Sequence, residues 1–325
     1  MTKCIFTIPP DENFVVRLAE GLWKQAKGDP LVLADMLVLL PTRRACRHLR
    51  EAFLQIPKAK TALLPRMQPL GDLDEAELYF AGSGDIDPAI PPAISPLRRQ
   101  MLLAPLVQAA DREMPLDQAM QLAAALGELL DQVQVERLDV SRLDQLVEGD
   151  LAEHWKQTVE FLKIVTAAWP KVLAAEGAID PAARRNHVIE AQAKVWQKQP
   201  PKHPVIAAGS TGSLPATADL LDVVAGLPHG TVVLPGLDCE LDEAAWQEAE
   251  ETHPQFGMKQ LLEKFGVARS AVKLWPGCGK SQPRVRLLQE AMRPAKLTEA
   301  WRSLKPSDFP KTALKNIMRL TLDTA

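Results

Sequence analysis

The sequence predicts an α/β fold, in which a parallel sheet is interrupted by an all-α insertion. Three observations lead to this prediction. Short apolar runs followed by helical patterns occur near both ends of the chain. Residues 38–40, Val-Leu-Leu, continue an apolar run of the kind found in strands that are buried on both faces. Residues 95–199 show only helical periods, and this segment is too long to be a loop.

The first βα unit places a strand at residues 3–8, ended by Pro9-Pro10. Asp11 is predicted to cap the helix that follows, with Phe14 on its buried side. A nucleotide-binding α/β domain would carry its phosphate loop at this place, and that loop needs glycine and a Lys-Ser/Thr pair. The turn here reads IPPDENF and has neither, so it is not expected to work as a phosphate loop.

The second βα unit is the most informative stretch. A strand at residues 36–40 ends at Pro41, Thr42 is the expected N-cap, and a helix follows from about Arg43. The spacing predicts that this helix buries one stripe of side chains, formed by Ala45, Leu49 and Phe53.

The same helix begins with cationic residues, which the helix dipole disfavours at this end. They are Arg43 and Arg44 in the first turn and Arg47 beside them. A nearby anion would offset the unfavourable dipole, so one interpretation is a strand end that holds a phosphate backbone. The other interpretation is an ordinary βα unit with a solvated basic face.

A third strand is expected within residues 62–73, where Arg66 is a second candidate phosphate contact. Residues 74–94 resemble a linker, because they are rich in Gly, Pro and Asp. Ser95-Pro96 then starts the helical region, as an N-cap followed by proline at the first helical position. Further helices are predicted over residues 115–135 and 151–173, and from Asp180-Pro181 to about Trp196.

The α/β pattern returns with strands at residues 205–208 and 231–234 and a helix between them. The small loop at residues 209–213 includes Ser210 and Thr211 and follows a strand, at the end where open α/β sheets bind ligands. Its backbone amides could meet a phosphate, although a tight structural turn explains the same spacing. One or two helices are expected within residues 244–265 and a strand at 271–275.

The segment Gly279-Lys280-Ser281 matches the end of the phosphate-loop motif. The full motif needs glycine at position 274, which is leucine, and Pro283 is expected to interrupt the following helix. A flexible basic connector is therefore the preferred interpretation. Residues 285–292 are predicted to be helical.

Charge is unevenly distributed along the chain. The net charge is +4 for residues 1–72, −16 for residues 73–254 and +9 for residues 255–325. Basic ends around an acidic middle suggest a polyanion that contacts the ends, while a solvated acidic helical domain fits the middle equally well.

Metal sites, disulfides and a membrane anchor are not expected. The four cysteines lack a Cys-x-x-Cys pair, the six histidines lack ligand spacing, and no apolar run approaches membrane-spanning length. The sequence carries no motif typical of a hydrolase or metalloprotease, so no catalytic residues and no cofactor are assigned. The scattered cysteines and the lack of a signal peptide indicate a cytoplasmic location.

Several stretches together resemble the amino-terminal part of the AddB family in its alpha-proteobacterial form. They are VLLPTRRACRHLREAF at 38–53, LLPRMQPLGD at 63–72, HWKQTVEFLKIVTAAWP at 154–170, VIAAGSTGSLPATADLL at 205–221, GTVVLPGLD at 230–238 and HPQFGMKQLLEKFG at 253–266. AddB is the subunit of the AddAB helicase–nuclease that carries an inactivated superfamily I helicase fold. The family's second motor-like domain and its carboxyl-terminal nuclease are not in this sequence.

The resemblance implies a RecA-like, P-loop-NTPase-type sheet domain in degenerate form. It implies that residues 1–94 and 201–275 are the two parts of that domain and that residues 95–200 are the helical insertion. Residues 276–325 would be a connector and the start of a next domain. Gly209 and Ser210 then stand where an active helicase carries the acidic pair that holds magnesium and activates water.

The resemblance also implies a role in double-strand break repair by homologous recombination, with an AddA-like subunit supplying ATP-driven movement. Expected ligands are single-stranded and duplex-end DNA in the nucleoid-associated cytoplasm. By position, Thr42, Arg43 and Arg44 become DNA-backbone contacts, and such contacts place a strand without reading its sequence. A protein-interaction module without DNA contact, and an active NTPase that uses Lys280, are the alternatives.

Overall fold

The structure is a computed structural model that describes residues 3–56, 63–70, 89–110, 113–139, 164–279, 283–309 and 313. The chain forms two compact units. One comprises residues 1–74, 199–213 and 221–325, and is called the sheet unit. The other comprises residues 75–198 and 214–220, and is called the helical unit.

The elements alternate between strands and helices at both ends of the described chain. The first part contains β1 (Ile5–Ile8), α1 (Phe14–Gln25), α2 (Pro30–Asp35), β2 (Leu37–Leu40), α3 (Arg43–Gln55) and β3 (Arg66–Pro69). The middle contains α4 (Pro96–Ala110), α5 (Leu116–Val135), a π-helical turn (Ile164–Ala168), α6 (Trp169–Glu176) and α7 (Pro181–Lys198). The last part contains β4 (Val205–Ala208), α8 (Pro215–Gly226), β5 (Gly230–Pro235), α9 (Glu243–Gln247), α10 (Phe256–Phe265), β6 (Lys273–Leu274) and α11 (Pro283–Ala291). Short 3₁₀ helices span Arg269–Ala271, Ala295–Ser303 and Pro306–Asp308.

The described strands form one parallel sheet in the order β3-β2-β4-β5-β1-β6. Every residue of β2 and β4 is buried, which explains why both strands are continuous apolar runs in the sequence. The α/β, RecA-like class with helical parts is therefore confirmed. Because all strands are parallel, the loops that follow them leave from one edge of the sheet.

Helices α1 and α3 pack together over the strands and share one hydrophobic core. The buried side of α3 is confirmed at Leu49 and Phe53, whereas Ala45 is only half-buried and Cys46 is buried instead. The predicted cap of α1 at Asp11 is wrong. A turn in which the Glu12 amide donates to the Pro9 carbonyl delays the helix, and the Asn13 side chain accepts from the Val16 amide at 3.3 Å.

The helical unit is built around the contact between α4 and α5. The Ser95 hydroxyl accepts from the Arg98 amide at 3.4 Å, which confirms the predicted cap. The core of the helical unit comes mainly from α4, α5, the π-helical turn and α6. Its residues are Ile94, Leu103, Ala104, Val107, Ala119, Ala123, Leu126, Leu130, Ile164 and Trp169. The small residues of α5 allow α4 to approach closely. Leu97 and Met101, which share the helical period of α4, are 66% and 57% exposed.

Two further expectations concern the segments outside these cores. Most of the helix predicted over residues 151–173 lies outside the described residues, and its described end forms the π-helical turn and α6. Pro283 does not interrupt a helix, because α11 begins at this residue. Proline suits the first helical position, where its missing N–H would have no partner within the helix.

Candidate nucleic-acid interface

Three loops meet at the edge where the strands end. A methyl group placed on Gly209, just after β4, would lie 3.2 Å from the Phe14 ring and 3.5 Å from Pro41 Cδ. The Gly209 amide donates to the Val233 carbonyl at 3.0 Å, and this hydrogen bond fixes the position of Gly209. The loops after β1, β2 and β4 are therefore in contact, and residues 9–14, 41–44 and 209–213 are called the loop junction.

The amino end of α3 opens at this junction. The Thr42 hydroxyl accepts from the Ala45 amide at 3.1 Å, so the predicted N-cap is confirmed. Arg43, Arg44 and Arg47 are all exposed. A cation in the first turn of a helix is disfavoured by about 0.3–1 kcal/mol, and an anion bound there would relieve this cost.

The loop after β4 is a tight turn supported by glycine. Gly209 and Gly212 have φ of +79° and +66°, a backbone region that favours glycine. The Ser210 hydroxyl accepts from the Gly212 amide at 3.2 Å, and Ser210 and Thr211 are both half-buried. The structural-turn interpretation thus describes the loop, which also lies against Pro41 next to the cap of α3.

The loop after β1 offers acids, prolines and a phenyl ring. The Glu12 carboxylate is paired with Arg17 Nε at 2.8 Å, and Glu20 is paired with the same guanidinium at 2.9 Å. Hydrogen bonds to these two carboxylates raise the pKa of Arg17. The half-buried Phe14 packs on the core beside Gly209. The loop therefore lacks the glycine and lysine that a phosphate cradle needs.

Arg66 lies away from the loop junction. It is the first residue of β3 and stands beside Leu37, at the edge of the sheet where strands begin. Its guanidinium donates to the Asp35 carbonyl at 3.2 Å. Burial lowers the pKa of nearby His203, and Arg66 lowers it further while Asp35 acts in the opposite direction. Arg66 and the start of α3 therefore lie at opposite ends of the strands, about 10 Å apart along the strand direction, so Arg66 would contact a phosphate separately from Thr42 and Arg43.

The basic carboxyl-terminal part is partly neutralised within the sheet unit. Arg293 pairs with Asp242 at 2.7 Å and with Glu290 at 2.9 Å. Burial opposes ionisation of Asp242, but its hydrogen bonds from the Ala245 amide and Arg293 lower its pKa overall. Residues 283–305 are called the strap. They connect in this way to residues 236–255, the acidic segment between β5 and α10 that includes α9 and is called the acidic loop. The charge of the strap was visible in the sequence, whereas its pairing was not.

Three further contacts fix the strap to the acidic loop. Lys296 Nζ lies 2.9 Å from Glu248 and 2.7 Å from Glu250. The Gln289 amide donates to the Asp238 carboxylate at 2.6 Å. The +9 charge of residues 255–325 therefore overstates what this region offers to an external polyanion.

A phosphate loop and a metal centre are two other kinds of site that bear on the function. Of Gly279-Lys280-Ser281, only the glycine is among the described residues, and it follows the turn at Gly277 with φ of +99°. Within the described ranges, no group of three or more His, Cys, Asp or Glu side chains is arranged to hold a metal ion. The described helices include none long and apolar enough to cross a membrane.

No family model matches the sequence, and no curated protein matches it.

Proposed function

We propose that this chain is the amino-terminal, inactivated-helicase region of an AddB-like repair subunit, which binds single-stranded DNA without hydrolysing ATP. The observation that carries the proposal is the amino end of α3. Thr42 caps this helix at the loop junction and the exposed Arg43, Arg44 and Arg47 surround its start. Guanidinium groups and helix amides at a strand end are the donors that hold phosphates.

The chemistry of the neighbouring loops supports a passive role. The loop after β1 carries Glu12 and Phe14, where phosphate binding needs Lys and Gly. The loop after β4 carries Gly209 and Ser210, where nucleotide hydrolysis needs carboxylates that hold magnesium. A protein with this junction holds a DNA strand in place while another subunit moves it.

An AddA-like helicase–nuclease subunit is the partner that this proposal requires, acting at duplex ends in the nucleoid-associated cytoplasm. Support comes from the sequence stretches that resemble the AddB family throughout the chain. In the proposed complex, this chain contributes DNA contact and scaffolding for double-strand break repair.

Replacing Arg43 and Arg44 together with alanine is expected to weaken binding of single-stranded DNA. Each phosphate contact to a single strand contributes about 0.7 to the slope of log K against log salt, so losing two should flatten the slope by about 1.4. Fluorescence anisotropy of a labelled oligonucleotide over a salt series measures both effects. The matched control is Lys194→Ala/Lys198→Ala, which removes two exposed cations from α7.

Equal slopes for the two double variants would contradict a phosphate site on α3. Absence of binding at low salt would favour a protein-interaction scaffold without DNA contact. The exposed Leu97 and Met101 on one side of α4 are the observation that favours this second function. Nucleotide binding that is abolished by Lys280→Ala would instead favour an active NTPase.

A further inference from the structure

The strap presents a tryptophan to solvent. Trp301, in the 3₁₀ helix Ala295–Ser303, is 46% exposed. Its indole N–H donates to the Glu290 carbonyl at 2.9 Å, so one edge of the ring is tethered to α11. A tryptophan whose polar edge is satisfied can keep its ring available for stacking.

The tether is itself held by charged contacts. Glu290 Oε2 accepts from Arg293 Nε at 2.9 Å, and Arg293 Nη1 lies 2.7 Å from Asp242 on α9's amino-terminal side. The side chains of Arg293 and Glu290 are only 12% and 15% exposed, so their pair is shielded from water, whereas Asp242 is 46% exposed. The chain of contacts from Asp242 to Trp301 fixes the ring before any ligand arrives, which lowers the entropy lost on binding.

The cations of the strap near the ring differ in how strongly they are paired with acids. The cations that face the acidic loop, Arg293 and Lys296, are paired with carboxylates. Arg302 is 85% exposed in its side chain, with Glu299 3.5 Å away and equally open to water, and Lys305 is also exposed. Water screens such an exposed pair strongly, so Arg302 stays available to a phosphate.

We infer that the strap is a second contact for single-stranded DNA, in which Trp301 stacks on a base and Arg302 and Lys305 approach the adjoining phosphates. Stacking on an aromatic ring together with cations along the backbone is how proteins bind single strands without reading sequence. The inference rests on the proposed function for its ligand, but it uses residues that the loop junction does not share.

The experiment compares two labelled oligomers of equal length and charge, an oligothymidylate and a chain of abasic sites, by fluorescence anisotropy. Trp301→Ala should weaken binding of the oligothymidylate by about five- to 150-fold and leave binding of the abasic chain unchanged. Trp301→Phe, which keeps a stacking surface, should retain most of the affinity. Leu288→Ala is the control, since Leu288 is an apolar strap residue that is 57% exposed.

The outcomes separate this inference from the proposed function. Loss with Trp301→Ala but not with Arg43→Ala/Arg44→Ala would support the strap and contradict the junction. Loss with the arginine variant alone would overturn the strap, as would equal losses for thymidylate and abasic oligomers. In those cases the exposed Leu288, Met292 and Trp301 would be better explained as a surface for a protein. Circular dichroism of each variant checks its folding.

Discussion

Replacing Gly21 with alanine is expected to destabilise the sheet unit by about 3 kcal/mol or more. The added methyl group would lie 2.0 Å from Trp275 Nε1 and 2.4 Å from Cε2 of the same ring. Trp275 is 1% exposed, donates to the Arg17 carbonyl at 2.9 Å and meets Phe6 edge to face. The ring must therefore move, which breaks a buried hydrogen bond and disturbs the packing. Urea denaturation followed by circular dichroism measures the loss.

The matched control is Gly257→Ala in α10, where an added methyl group meets nothing within 4 Å. That variant should be neutral or up to about 1 kcal/mol more stable, because alanine favours helix more than glycine. Similar behaviour of the two variants would contradict close packing of Trp275 on α1. The contact matters for the site, since α1 begins with the Phe14 that lines the loop junction.

The Arg99→Met substitution should destabilise the helical unit by about 3–5 kcal/mol, because it leaves a buried carboxylate without its cation. Arg99 Nε lies 2.8 Å from Asp180, and its Nη1 donates to Asp131 at 2.8 Å. Asp180 is 1% exposed and also accepts from Trp169 and Gln134. The measurement is again urea denaturation of the whole chain.

Arg98→Met is the control for this experiment, since it is the same change at the neighbouring position. Arg98 pairs with Glu176 at 2.9 Å, but its side chain is 57% exposed, so water screens the pair and its loss should cost much less stability. The double variant Arg99→Met/Asp180→Asn should recover part of the stability, because no buried charge is then left unpaired and Asp131, the other partner of Arg99, is 40% exposed. Equal losses for Arg98→Met and Arg99→Met would show that burial of the Arg99 pair does not matter.

Local sequence patterns predicted elements well where the deciding interactions are short in range. The Thr42 cap and the helix start at Arg43 depend on residues three positions apart, and both are confirmed. The cap of α1 was misplaced at Asp11, because Asp and Asn both cap helices well and an intervening turn selects Asn13. Pro283 was misinterpreted because proline both ends helices and begins them.

The end of the sheet at which a charged residue lies, and the residue with which it pairs, were less predictable from the sequence. The sequence shows Arg66 near a strand, but only the parallel register places it beside Leu37, at the edge opposite the loop junction. The sequence likewise shows a basic carboxyl-terminal region, but only the folded chain pairs Arg293 and Lys296 with acids more than 40 positions away. The net charge of a region counts all of its charged side chains, whereas the charge that a ligand can meet depends on which of them are already paired in the folded chain.

By itself, the sequence determined the α/β class and the position of the buried strands, because a strand covered on both faces must be apolar throughout. It also determined the cap and the basic start of α3. Only the tertiary structure decided that Gly209 lies against Phe14 and Pro41, and that Trp301 is tethered to Glu290. The contacts of Gly209 join residues that are distant in the chain, so they depend on the sheet order. The Trp301 hydrogen bond spans 11 positions and depends on how its 3₁₀ helix packs on α11. No local sequence pattern specifies either of them.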